Sequence, residues 1–293
     1  YYADSFKRIY STYPYDGTFF EKEEWFASSS YIDLFLFENK YPRTNGFVNF
    51  SPSGWGTQAA VYATNYGKPS TLEYISVKGG PHKGNVYNST KKQESNLKLS
   101  GVDGNTVEFW LKKSAISPGA LTLREVVFDA FTFNTGSSNS AYGRFKIELS
   151  ASDSGSPFYI TFQSGSTGPN FQQVGSSLLS SSAVFDGEWH HYAFSITHDS
   201  ANNRLRARTY VDGTHDRTQY FTGISSFGHI DRVINGSIGA LGSGSYIGYG
   251  KLSGALDDFR FWKEERTAEQ VGRNYFREVP GGTNKHTDNT ALG

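Results

Sequence analysis

The residues best suited to chemistry sit in one short run, Asp186-Gly187-Glu188-Trp189-His190-His191, where two histidines adjoin a carboxylate and an indole. Neutral imidazoles ligate metals and titrate near neutrality, so such neighbours invite a metal site or an acid–base pair. From Trp189 onward, however, polar and apolar residues alternate, which predicts a strand with His190, Tyr192, Phe194 and Ile196 on one face. Adjacent strand residues point to opposite sides. His190 therefore falls at the wet end of the core face, His191 faces the other way, and the two cannot easily ligate one metal.

Motifs with defined chemistry are absent. There is no cysteine, no Gly-x-Ser-x-Gly elbow, no His-Glu-x-x-His zinc pair, no phosphate-binding Gly-x-x-x-x-Gly-Lys loop and no EF-hand loop. Two sets of residues suit binding instead. Arg204, Arg206, Arg208 and Tyr210 alternate with Leu205, Ala207, Thr209 and Val211, which makes a half-buried strand with a basic outer face. Glu108, Trp110 and Lys112 likewise oppose Val107, Phe109 and Leu111. Either outer face could bind a glycan by stacking and bidentate hydrogen bonds, and the plainer reading of both is a solvated or protein-covered sheet face. An exposed Trp110 calls for a contact, and the N-terminal arm is one candidate to supply it.

Asp257 is the third candidate. In the strand Ala255 to Trp262, alternation puts Asp257 with Phe259 and Phe261, against Leu256, Asp258, Arg260 and Trp262. An unpaired charge beside two phenylalanines would be costly or would shift its pKa upward, so a compensating partner is required.

These residues need strands to hold them. Tyr142 to Leu149 repeats the alternation of Thr106 to Lys112, Glu125 to Phe133 and Pro157 to Phe162 are further candidates, and Tyr210-Val211-Asp212-Gly213 ends a partner for the Trp189 strand in a tight turn. Shorter pieces are read at Phe47 to Phe50, Leu72 to Lys78, Ile230 to Ile234, Ser237 to Leu241 and Tyr246 to Tyr249. Thr267 and Gln270 form a capping box, which predicts a helix to about Arg277, ahead of Pro280-Gly281-Gly282. Small polar runs at Thr135 to Ser140, Ser150 to Ser156 and Gly165 to Gly168 are loops. The first stretch differs: Tyr2, Phe6, Ile9, Tyr10 and Tyr13 have helical spacing, and Tyr31 to Phe37 suits either a buried helical turn or a strand. This gives an aromatic, partly helical N-terminal arm over 1–46, a β domain over 47–279 and a tail over 280–293.

Composition agrees with a β reading: 16% aromatic and 19% charged residues with 32 glycines describe short aromatic strands between turns. Lys plus Arg and Asp plus Glu are 28 each, so no net field draws in nucleic acid, and no apolar run is long enough for membrane insertion. The chain has no methionine, so Tyr1 is expected to follow an earlier segment, and targeting cannot be read.

Taken in order, Val107-Glu108-Phe109-Trp110-Leu111-Lys112, Asp186 to His191, Tyr210-Val211-Asp212-Gly213, Ile247-Gly248 and Ser253 to Trp262 resemble the laminin-G-like branch of the concanavalin A-like lectins and glucanases, over about residues 50 to 279. The resemblance implies a two-sheet antiparallel jelly-roll sandwich whose rim loops can carry calcium and ligand. Glucanases of that family present carboxylates as Glu-x-Asp-x-Glu or Glu-x-Asp-x-x-Glu, and no Glu here is followed by Asp two positions later, so no enzyme is expected. The family position of Asp257 implies either a calcium site, with carbonyls of Lys78 to Asn85, or hydrogen bonds to backbone N–H groups. That loop has no carboxylate, which favours hydrogen bonds.

A looser likeness links the arm (Tyr13-Pro14-Tyr15-Asp16-Gly17, Tyr41 to Gly46) and Gly104 to Trp110 to virion structural proteins of tailed phages of marine bacteria. It implies a non-enzymatic structural or adhesion module of a virion, with other subunits, neighbouring domains or host glycans as partners. The competing expectation is a carbohydrate-binding module of a secreted bacterial enzyme or adhesin.

Overall fold

The computed structural model describes residues 48–50, 74–78, 87–88, 93–94, 97–114, 124–132, 142–150, 155–230, 234–243 and 247–277. The strands are β1 (Val48–Phe50), β2 (Ile75–Lys78), β3 (Tyr87–Asn88), β4 (Gln93–Glu94), β5 (Asn105–Ser114), β6 (Arg124–Thr132), β7 (Gly143–Ser150), β8 (Phe158–Ser164), β9 (Gln172–Gln173), β10 (Asp186–Asp199), β11 (Arg204–Val211), β12 (Thr214–Thr222), β13 (Ile234–Ile238) and β14 (Gly254–Trp262). Among the described residues two α-helices accompany them, α1 (Ser181–Val184) and α2 (Ala268–Asn274). The arm, the tail and the loops 135–140 and 151–154 lie outside the described residues.

Pairing is antiparallel throughout. One six-stranded sheet runs β1-β14-β5-β10-β11-β12 and the other β2-β13-β6-β7-β8-β9, with β3 and β4 as a separate pair. Alternation decides what fills the space between the sheets. Val107, Phe109 and Leu111 of β5, with Tyr192, Phe194 and Ile196 of β10, meet Phe145, Ile147 and Leu149 of β7 and Phe158, Ile160 and Phe162 of β8. Phe109 is the hub of this packing, stacked on Phe194 and Phe259 at 6.0 and 6.3 Å. The chain thus forms an all-β, two-sheet jelly-roll sandwich with few helices, as the resemblance implied and the alternating strands agree.

The parity expected for β14 is overturned. Asp257 stands opposite Trp110 and Arg260 opposite Glu108, with a bulge between them, and Asp258 takes a left-handed backbone, φ 48°. The bulge inserts one residue, so Leu256, Phe259 and Phe261 all enter the core while Asp257 faces out. Asp257 does not share a face with the phenylalanines.

β12 was not expected. Its inward side chains include Arg217 and Gln219, opposite Thr209 and Ala207, so it lacks the apolar alternation that announces a strand. Those polar groups close the edge of the sandwich by bonding the stretch 173–176 (Gln219 Nε2–H to Gln173 O, 3.0 Å; Arg217 Nη1–H to Gly175 O, 3.0 Å).

Candidate functional site

The outer face of the first sheet divides into a covered half and an open half. The cover is α2 and the turn behind it. Thr267 caps the helix through the expected box, its hydroxyl accepting from Gln270 N–H and its own N–H donating to the Gln270 side chain. Val271 packs on Ala193 and Tyr210, and the Tyr275 ring fills the space over Gly213, where φ is 75° and a Cβ would stand 2.4 Å from that ring.

Beneath this cover lie two of the expected binding residues. Trp110 is 4% exposed, sends its indole N–H to the Tyr275 carbonyl (3.1 Å) and meets His191 edge-on. Tyr210 is fully buried, with its hydroxyl directed at the Arg266 carbonyl. Neither ring has a face for a sugar. The C-terminal segment covers Trp110, and the N-terminal arm lies outside the described residues.

Charge is buried here as well. Glu108 accepts from Arg260 Nη1–H (3.3 Å) and faces His191 Nε2 at 3.6 Å. Burial pushes the Glu108 carboxyl up, but the nearby His191 and the Arg260 and Arg266 charges outweigh it and hold the pKa below its ordinary value. Arg260 also donates to both Asp258 oxygens and to the Asn274 and Arg277 carbonyls, so one guanidinium ties the bulge to the end of α2. Asp257 is 1% exposed and accepts the Asp258 N–H at 2.8 Å. Among the described residues no group of three or more His, Asp or Glu side chains could hold a metal ion, and most of the loop named as a calcium partner lies outside them.

The two histidines separate as strand geometry requires. His191 is buried, whereas His190 lies at the rim with Nδ1 2.8 Å from Asp212 and Nε2 3.0 Å from Asp186.

The open half holds the other three expected residues, Arg204, Arg206 and Arg208, each with its side chain a little over one quarter exposed. Arg206 grips Glu265 with two bonds (Nη2–H to Oε2, 2.7 Å; Nε–H to Oε1, 3.3 Å) and Arg208 Nη1–H reaches the same carboxylate at 3.0 Å. Hydrogen bonding to Glu265 raises the Arg206 pKa. Arg204 pairs with Asp199 at 2.9 Å and lies 3.7 Å from the centre of the Tyr220 ring, which is 46% exposed. Tyr220 stands directly across from Arg206 on β12.

Tyr220, Glu265 and Asp199 were not among the expected residues. Glu265 is reached because Gly104 leaves room for its backbone, with a would-be Cβ 2.9 Å from Glu265 Cβ, and because Glu265 N–H bonds the Asp103 carbonyl. The only hint in the sequence was that a row of three arginines needs counter-charges.

A family profile described as the concanavalin A-like lectin/glucanases superfamily, laminin-G type, matches residues 84–272. The chain belongs to this family. No curated protein matches it. Solved structures similar to this concanavalin A-like domain include a heptameric SAP-like pentraxin from Limulus polyphemus (15% identity, 63% of this chain and 80% of that one, TM-score 0.32). Another is the CBM40 module of a Ruminococcus gnavus sialidase bound to alpha2,6 sialyllactose (11% identity, 58% and 82%, TM-score 0.36). A third is the alginate lyase Aly36B mutant with alginate tetrasaccharide (14% identity, 82% and 100%, TM-score 0.40).

Proposed function

We propose that the chain is a non-enzymatic adhesion module that holds a glycan on the open half of its first sheet. The observation that carries this reading is Tyr220, an exposed ring backed by the Arg204 guanidinium and set across the strand pair from Arg206. The apolar face of a sugar stacks on such a ring while neighbouring forks bond its hydroxyls. A ring fixed in advance by its neighbours gives up little freedom on binding.

The lack of catalysis belongs to the same proposal. The buried carboxylates Glu108 and Asp258 are occupied by Arg260, away from any glycosidic oxygen they would need to protonate. Asp257 serves the fold as a hydrogen-bond acceptor. A printed glycan array probed with the purified chain should give binding that Tyr220→Ala and Arg206→Ala both abolish. A blank array for the unaltered chain would end this reading.

A second reading, a structural part of a tailed-phage virion protein displayed outside the cell, is supported by the wording of the arm and of Gly104 to Trp110. The corresponding location is the virion, or secretion if the module is bacterial. The size of the full gene product tests it: a chain many times this length with the domain internal is expected, and a product no longer than this domain would remove the virion reading.

A further inference from the structure

Among the described residues, charge on the open half does not balance. Arg204, Arg206 and Arg208 face Asp199 and Glu265, three guanidiniums against two carboxylates. Arg204 and Asp199 close on each other, and Arg206 takes Glu265 with two bonds. Arg208 gives Glu265 one Nη1–H bond and lies beside the Tyr210 hydroxyl, so most of its donors are unspent. Its side chain is 28% exposed.

A guanidinium presents its donors in a rigid fork that matches a carboxylate or a sulfate, and it binds them more strongly than it binds a hydroxyl. Here the fork is already oriented. Glu265 holds it from one side, and the strand pair β11–β12 fixes its distance from Tyr220, one position along the same face.

We propose that the ligand is an acidic saccharide, carrying a carboxylate or a sulfate, whose charged group is taken by Arg208 while a sugar ring stacks on Tyr220. This rests on the glycan-binding reading and names the class of glycan. A neutral sugar leaves the surplus charge unanswered. An acidic one brings the face to neutrality, and its binding weakens with salt because the site is open to solvent.

The test uses the whole chain and three probes: a uronic-acid tetrasaccharide, its carboxyl-reduced neutral counterpart, and the reduced compound carrying a sulfate. Titration calorimetry should give binding of the uronate or the sulfate at least about tenfold tighter than the neutral sugar, falling as salt rises from about 0.05 to about 0.5 M. Arg208→Gln should remove that preference, so that the acidic and neutral probes bind alike. Arg208→Lys should restore part of it, since charge returns without the fork. Equal binding of all three probes, or a preference that survives Arg208→Gln in a variant with unaltered thermal unfolding, overturns the inference and leaves the glycan reading in place. A blank glycan array overturns both.

Discussion

His190 has both ring nitrogens against carboxylates, and only an imidazolium can donate from both at once. Partial burial lowers its pKa, but the bonds to Asp212 and Asp186 outweigh this and raise it above the ordinary 6.5. Asp186 is held below the ordinary 3.8, because its slight burial is outweighed by the Glu188 N–H and by His190. The signs differ. A raised histidine adds stability that is fully present below its unfolded pKa and is lost as pH climbs through the folded value. A lowered aspartate adds stability that is present above its unfolded pKa and is lost as pH falls through the folded one. The clasp is therefore strongest between the two titrations. Urea midpoints measured across pH should fall on the alkaline side of 6.5, and His190→Gln should remove that fall. Parallel profiles for the two proteins would show that the clasp contributes nothing.

At the scale of elements, the bulge in β14 and helix α2 act as one unit because Arg260 joins them. Its guanidinium is fully buried, between Glu108 and Asp258 and against the carbonyls that end the helix. Arg260→Leu would leave two buried carboxylates without their cation, at a cost of about 3–5 kcal/mol. Denaturant unfolding should show that loss, and a variant within about 1 kcal/mol of the parent would refute the coupling. This joint also marks where sequence reasoning stopped. The faces of β5, β7, β10 and β11 were legible because each keeps one alternation along its length. Asp257 was misplaced because a bulge adds a residue without a compositional sign. Trp110 and Tyr210 have the parity that alternation gives them, yet they are buried, because α2 lies over them and no local pattern encodes where a helix docks. The pairing of Arg208 with Glu265 spans 57 residues and could not be read at all.

For the whole molecule, the two sheets are closed along one edge by side chains and not by a shared strand. Asp216 accepts from Ser176 N–H (2.8 Å), from the Ser176 hydroxyl and from Thr209 Oγ1 (2.9 Å), while Gln219 accepts from Gly175 N–H (2.9 Å). Asp216→Ala should cost about 1–3 kcal/mol by leaving those donors unmet. Amide exchange at Ser176 should speed up by a matching factor while the β5 and β10 amides stay protected. Uniform acceleration across both sheets would mean that the edge does not open on its own.

The same closure bears on how copies of the molecule tolerate one another. β12 is a nine-residue border strand, long enough to template another chain. It carries His215, Asp216 and Arg217 in a row, and its pairing with β11 is interrupted between Thr209 and Tyr210. Charge and irregularity at a border discourage a neighbour from adding its own strand there. Crowded side by side, as on a particle surface or at high expression, such modules should keep their identity as separate bodies, with the arginine face of each left free.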